Sequence, residues 1–142
     1  MYKNLKIGVA VPAYNEERLI QKTITTMPDF VDHIVVINDG SKDNTLKKIK
    51  SVQKNDKRIL LIDNDTNKGI GYSLQVGIRK AAELGCDRIA VMAGDAQMDP
   101  QYLKPLLEDM DKRGLDFIKG IRFMHFDALK SMPRYRRFGN VV

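Results

Sequence analysis

Residues 5–37 read LKIGVAVPAYNEERLIQKTITTMPDFVDHIVVI, and this stretch decides the fold class. Leu5 to Val11 is a short apolar run that suits a buried strand. Glu16 to Met27 follows with Leu19, Ile20, Thr23, Ile24 and Met27 at helical spacing. His33 to Ile37 reads as a second strand. Strand, amphipathic helix, strand is the unit from which parallel sheets are built. The alternation continues outward. Thr45, Leu46, Ile49 and Val52 stripe a second helix, and Arg58 to Ile62 makes a third strand. Ile70, Leu74, Ile78, Ala81 and Ala82 mark a third helix, closed by Gly85 as a C-terminal cap. Arg88 to Met92 is a fourth strand, and Pro100 to Lys112 a fourth helix with Leu103, Leu106, Leu107 and Met110 facing inward. Phe117 and Ile118 begin a fifth strand; the period is lost after Gly120, and Pro133 opens a basic segment. The expectation is one α/β domain with a mostly parallel central sheet, without repeats or linkers.

Composition narrows the function classes. With 142 residues, 43% hydrophobic and 30% charged, the chain is long enough for one core and is not of disordered type. A single Cys86 excludes a disulfide framework and any multi-cysteine zinc site. No apolar run approaches the roughly 20 residues of a membrane helix. Met1-Tyr2-Lys3-Asn4 leads at once into a strand, without a signal-peptide layout, so the expected compartment is the cytoplasm. The net charge of +6 is uneven: Lys119 to Val142 carries +5 and the remainder +1. A nucleic-acid binder spreads its cations over a face with interleaved aromatics. Concentrated here, they suit a few phosphates or an anionic membrane surface, or else form a solvated basic end.

In such folds ligands sit at the carboxyl ends of the strands. Four polar loops fall there: Pro12 to Glu17, Asn38 to Asn44, Asp63 to Gly71, and Ala93 to Pro100. The first lacks the glycines of a dinucleotide turn and offers a rigid Pro12, the aromatic Tyr14 and two carboxylates. A ring can stack on a base and a carboxylate can accept from ribose; alternatively Asn15 is an N-cap, with Glu16 and Glu17 favoured by the helix dipole. In the second loop Asp39-Gly40 suits a tight turn, Asp43 or Asn44 could cap the next helix, and Asp39 could accept a base N–H. In the third, Asn67-Lys68-Gly69-Ile70-Gly71 is half a glycine fingerprint, permitting close backbone approach with Lys68 near a phosphate. The fourth, Ala93-Gly94-Asp95-Ala96-Gln97-Met98-Asp99-Pro100, sets a carboxylate and an amide oxygen two residues apart, a small hard-ligand set for Mg²⁺ or Mn²⁺. Asp99-Pro100 reads as N-cap plus first helical residue.

Taken together, these loops with Gly120-Ile121-Arg122 and Met132-Pro133-x-x-Arg136-Arg137 resemble the family 2 glycosyltransferases, nucleotide-sugar enzymes of the GT-A fold. The likeness is strongest to the dolichyl-phosphate mannose and polyprenyl-phosphate sugar synthases, and it covers essentially the whole chain. It implies a Rossmann-like three-layer sandwich. It implies that Pro12, Tyr14, Glu16 and Asp39 hold the nucleoside, with Lys68 and Gly94 also at the nucleotide sugar. By the same resemblance Asp95 and Gln97 hold Mg²⁺ or Mn²⁺, and Arg122 with Arg136 or Arg137 meets the phosphates. Asp95 and Arg122 are then the catalytic pair. The implied partners are a UDP- or GDP-sugar and an acceptor such as a polyprenyl phosphate, with no nucleic acid and with contact at the inner membrane face.

Two departures stand out. The family's metal motif is commonly Asp-x-Asp, and Ala93 occupies the first position. The chain also stops at Val142, where relatives continue into acceptor-binding and membrane elements, so residues 1–142 are expected to be the nucleotide-sugar domain alone or a minimal member. The implied reaction displaces a nucleoside diphosphate from an anomeric carbon, its charge met by the metal and the arginines. A hydroxyl acceptor needs a base. Only His125 and Asp127 lie suitably late, which favours either an acceptor that is already anionic or a base supplied from beyond these residues. The rivals are a sugar-phosphate nucleotidyltransferase, which would open with a glycine- and arginine-rich loop, and an inactive nucleotide-binding module.

Overall fold

The computed structural model describes residues 1–120, which fall in two compact units, residues 1–103 and those from 104 onward. The first holds strands β1 (Ile7–Ala13), β2 (His33–Asp39), β3 (Ile59–Asn64) and β4 (Arg88–Val91), with helices α1 (Ile20–Thr25), α2 (Thr45–Gln53) and α3 (Ile70–Glu83). A 3-10 turn at Pro100–Tyr102 leads into α4 (Leu103–Arg113), whose Leu103, Leu107 and Met110 are buried. Every pairing among these four strands is parallel, in the order β3-β2-β1-β4. The expected α/β class with a parallel sheet is what forms.

The chain steps from β1 to β2 to β3 through α1 and α2, then recrosses the sheet through α3 to reach β4. Right-handed crossovers running in opposite directions put α3 on the opposite face from α1 and α2. Burial agrees. On the α3 face Val35, Ile37 and Ala81 form a cluster joined by Leu60, Ile62, Leu84, Cys86 and Ile89. Alternation sends Ile7, Val9, Val11, Ile34 and Val36 to the other face, all of them fully buried. Burying each such side chain contributes about 1.5–3 kcal/mol. α3 lies so close that a methyl on Gly77 would stand 2.6 Å from Ile37 Cδ1. It ends as the sequence suggests, with Gly85 left-handed and the Gly85 and Cys86 amides donating back to Ala82 and Ala81 carbonyls.

Three expectations are corrected. Strands β1 to β3 run two residues beyond their apolar runs, β2 and β3 because their polar ends pair across the ladder. Asn38 is in register with Asp63 and Asp39 with Asn64. Asn38 Nδ2 donates to Asp63 Oδ1 at 2.7 Å, and Asn64 Nδ2 to Asp39 Oδ1 at 2.9 Å. Helix α1 is half the expected length: Asn15 is left-handed at φ 55°, Thr25 and Thr26 hydroxyls donate to Gln21 and Lys22 carbonyls, and Pro28 follows. Phe117 and Ile118 form no strand among the described residues, and Phe117 is 78% exposed. Two apolar residues between Asp116 and Lys119 find no ladder partner.

Pro12 lies inside a central strand without breaking it. Its carbonyl accepts from Gly94 N, so this residue faces the β4 side, where β4 has already ended at Val91. The missing N–H therefore removes no ladder bond. Gly40 closes β2 at φ +67°, and a Cβ there would stand 2.4 Å from the Thr66 carbonyl carbon. Gly40→Ala should cost about 2–4 kcal/mol in urea unfolding, from strain and overpacking together. A loss below about 0.5 kcal/mol, the range of an ordinary surface change, would contradict this close approach.

Candidate functional site

Sheet order reverses between β1 and β4, and that switch point is where an open α/β sheet accepts ligands. The loop after β1 supplies Tyr14, 45% exposed, and Glu16, half-buried; the loop after β4 supplies Asp95, also half-buried. Gly94 brings the two loops together. Its N–H donates to Pro12 O at 3.1 Å, its carbonyl accepts from the buried Thr23 hydroxyl at 3.0 Å, and a Cβ would stand 3.1 Å from both Ala13 Cβ and Ile20 Cδ1. Asp95 then bends back so that its Oδ1 accepts from Gln97 N at 3.0 Å, across a left-handed Ala96. Gln97 thus meets Asp95 through its backbone.

Charge builds up at this point. Burial, then the negative charge of Asp95, then that of Asp43, raise the Glu16 carboxyl above its usual range. An all-oxygen, electron-rich corner of this kind fits a hard divalent cation, for which the protein need supply only one or two carboxylates. Ala93 adds none. No group of three His, Cys, Asp or Glu suited to a metal occurs among the described residues.

Asp39 is only 4% exposed, and its oxygens already serve the chain. Oδ1 accepts from Asn64 Nδ2 and Lys68 N, and Oδ2 from Gly69 N, each at 2.9 Å. The carboxylate thereby caps the start of α3 from a neighbouring strand. Lys68 uses its backbone for this bond, while its ammonium lies 4.7 Å from the centroid of the Tyr72 ring. Among the sequence-derived candidates, Tyr14, Glu16, Gly94, Asp95 and Gln97 belong to the two loops at the switch point, and Pro12 lies near the end of β1 beside them. Asp39 and Lys68 belong to the β2–α3 junction. Arg122, Arg136 and Arg137, with His125 and Asp127, lie outside the described residues.

Sequence reasoning missed how the first two loops are joined. Asn15 does not cap α1; its Oδ1 accepts from Lys42 N at 2.8 Å, and its own N–H donates to Ser41 Oγ at 3.0 Å. Glu16 N donates to Thr45 Oγ1 at 2.8 Å and Glu17 N to Asp43 Oδ2 at 3.1 Å. In return, Glu17 Oε2 accepts from both Asn44 N and Asn44 Nδ2 at 2.9 Å. Of the two proposed caps of α2, Asp43 acts, taking Thr45 N on Oδ1 at 2.9 Å. The available signal was a surplus: Ser41, Asp43, Asn44 and Thr45 are more capping side chains than one helix start can use.

Burial works to raise the Asp39 carboxyl, but hydrogen bonds from Lys68 N, the Asn64 side chain and Gly69 N outweigh it, and the net shift is downward. A depressed folded-state value means stability that is present above the unfolded value and lost as pH falls through the folded one. Asp39→Asn sets an amide N–H₂ against at least one donor. It should cost about 1.5–3 kcal/mol at neutral pH and flatten the acid limb below about pH 4. Urea unfolding from pH 2 to pH 7 tests this, and an acid limb as steep as the parent's would contradict it.

The described residues contain no helix long and apolar enough to cross a membrane. Three comparisons locate the chain among known proteins. It is 28% identical to a UDP-N-acetylglucosamine–dolichyl-phosphate N-acetylglucosaminyltransferase of Methanococcus voltae, over 95% of this chain and 59% of that protein. It is 28% identical to a dodecaprenyl-phosphate galacturonate synthase of Rhizobium johnstonii, over 89% of this chain and 39% of that protein. The chain therefore spans about half the length of these relatives. A Pyrobaculum calidifontis mannosyltransferase, solved with GDP-Man and Mn²⁺, shares the fold at a TM-score of 0.66 and 19% identity, over 77% of this chain and 33% of that one. Residues 8–141 match the description of glycosyl transferase family 2, and the chain belongs to that family.

Proposed function

We propose that residues 1–142 form the nucleotide-sugar-binding part of a glycosyltransferase whose donor is a UDP- or GDP-sugar and whose acceptor is a polyprenyl phosphate. The observation that carries this reading is that the loops bearing the exposed Tyr14, Glu16 and Asp95 are joined, through the Gly94 N–H and the Pro12 carbonyl, at the point where the sheet order reverses. In it, the Tyr14 ring stacks on the base and Glu16 accepts from the ribose. Asp39 fixes the loop that borders the base. Asp95 is the main protein contact of a divalent cation, with Gln97 beside it. That cation, when bound, would neutralise charge on the departing diphosphate. Arg122, Arg136 and Arg137 complete the phosphate contacts in this reading.

The acceptor assignment draws on chemistry and on relatives. A lipid phosphate is already anionic and requires no base to deprotonate it. The M. voltae and R. johnstonii proteins are named for dolichyl and dodecaprenyl phosphates. The P. calidifontis enzyme was solved with Mn²⁺, which supports a divalent cation without choosing between Mg²⁺ and Mn²⁺. A binding module without turnover is the second reading, favoured by Ala93 alone. It predicts binding of sugar nucleotides with no release of nucleoside diphosphate.

The test is thermal unfolding with UDP, GDP and dTDP, each with and without MnCl₂. At a hundredfold excess over the dissociation constant, binding should stabilise the fold by about 2.7 kcal/mol. Asp95→Asn should abolish the dependence on Mn²⁺. Equal metal response in Asp95→Asn and the parent would refute the cation assignment, and no stabilisation by any diphosphate would refute the nucleotide reading.

A further inference from the structure

Six hydrogen bonds tie the turn at Asn15–Glu17 to the turn at Ser41–Thr45, and they run in both directions. Three consecutive N–H groups of the first turn, those of Asn15, Glu16 and Glu17, are taken by Ser41, Thr45 and Asp43. Two N–H groups of the second turn, those of Lys42 and Asn44, are taken by Asn15 and Glu17. The residues at the formal N-cap positions of the two helices, Leu19 and Asn44, make no side-chain cap of their own. Thr45 is fully buried, and its hydroxyl both accepts from Glu16 N and bonds to Asp43.

We propose that this mutual capping is a positioning device for the nucleotide site, and that Asn15, Glu17, Ser41, Asp43 and Thr45 are its positioning residues. The proposal rests on the nucleotide reading above, because its object is the placement of Tyr14 and Glu16. Those two residues bracket Asn15, whose left-handed backbone at φ 55° turns the chain between them. Asn is among the few side chains that accept this conformation readily, and here it also supplies the oxygen for Lys42 N. Each donor satisfied from the opposite loop removes freedom that the nucleotide would otherwise have to remove on binding. The device also links the switch point to β2, since the second turn begins directly after Asp39 and Gly40.

Counting acceptors gives a prediction that charge alone does not. Asp43 uses both oxygens on different N–H groups, Oδ1 on Thr45 and Oδ2 on Glu17. An Asn at 43 has one acceptor oxygen, so one of those amides must face an N–H₂ group. Glu17 uses one oxygen, Oε2, for both of its bonds. A Gln at 17 can place its single carbonyl oxygen there and keep both. The two substitutions remove the same unit of charge and differ only in what they leave unpaired.

The experiment is calorimetric titration of UDP and of GDP, in MnCl₂, into the parent, Asp43→Asn, Glu17→Gln and Glu17→Ala chains. Amide hydrogen exchange is followed on each without nucleotide. Asp43→Asn and Glu17→Ala should weaken binding of the preferred diphosphate about tenfold, whereas Glu17→Gln should stay within about twofold of the parent. In Asp43→Asn the amides of residues 15–17 should exchange faster along with those of 42–45. Undiminished binding by Asp43→Asn, or equal loss in Asp43→Asn and Glu17→Gln, would overturn the proposal. If neither diphosphate binds the parent, the nucleotide reading fails and exchange alone judges the device: faster exchange in both turns upholds the mutual cap, and faster exchange confined to 42–45 overturns it. Should Asp43→Asn not fold, Ser41→Ala, which removes only the acceptor of Asn15 N, replaces it with the same expected and contrary results.

Discussion

A helix start leaves backbone N–H groups without partners, and here the turns before α1 and α2 and the start of α3 take many of theirs from another loop or strand end. Leu19, Asn44 and Gly69 stand at the N-caps of α1, α2 and α3, and none makes a side-chain cap bond. Asp39 reaches across to the start of α3, while the turns before α1 and α2 cap each other. Leaving a buried donor unpaired costs about 1–3 kcal/mol, and the bonds made by Glu16, Glu17, Lys68 and Gly69 N–H groups are partly buried. The turns are therefore locked to one another, and the carboxyl edge of the sheet behaves as a unit.

The site inherits its shape from that edge. The parallel sheet brings four loops to one end, and the reversal between β1 and β4 sets the loop of Tyr14 and Glu16 beside that of Asp95. Gly94 allows Asp95 to approach because any side chain there would press on Ala13, Ile20 and the Pro12 carbonyl. The like charges of Glu16 and Asp95 are tolerable in a half-exposed position, and a cation would relieve their repulsion. Folding and binding thus draw on the same residues: caps hold the loops, and the loops hold the exposed ring and the carboxylates.

Much of this was legible in the amino-acid order. The alternation of apolar runs with helical stripes marks the four strands and four helices of the described residues, and Gly85 marks the end of α3. The strand ends were not legible. Asn38-Asp39 and Asp63-Asn64 look like loop residues because each is polar, and only the parallel register shows each amide facing a carboxylate. Asn15 before two glutamates looks like an N-cap, since the pattern is local and its true partner, Lys42, is 27 residues away. Asp39 looks like a free acceptor for a base because nothing in its neighbourhood announces Asn64, Lys68 and Gly69. Local periodicity writes the elements into the sequence; contacts between loops appear only once the sheet has aligned them.

The central claim is that nucleotide is received at the β1–β4 switch point, on loops already held by their mutual caps. Titration of the ¹⁵N-labelled chain with the diphosphate it prefers, in MgCl₂, tests this residue by residue through amide chemical shifts. The account predicts changes concentrated at Tyr14–Glu17 and Ala93–Gln97, with smaller ones at Asn38–Thr45. Changes confined to the groove between α1 and α2, at Gln21, Lys47, Lys48 and Ser51, with Tyr14 and Asp95 unmoved, would contradict it.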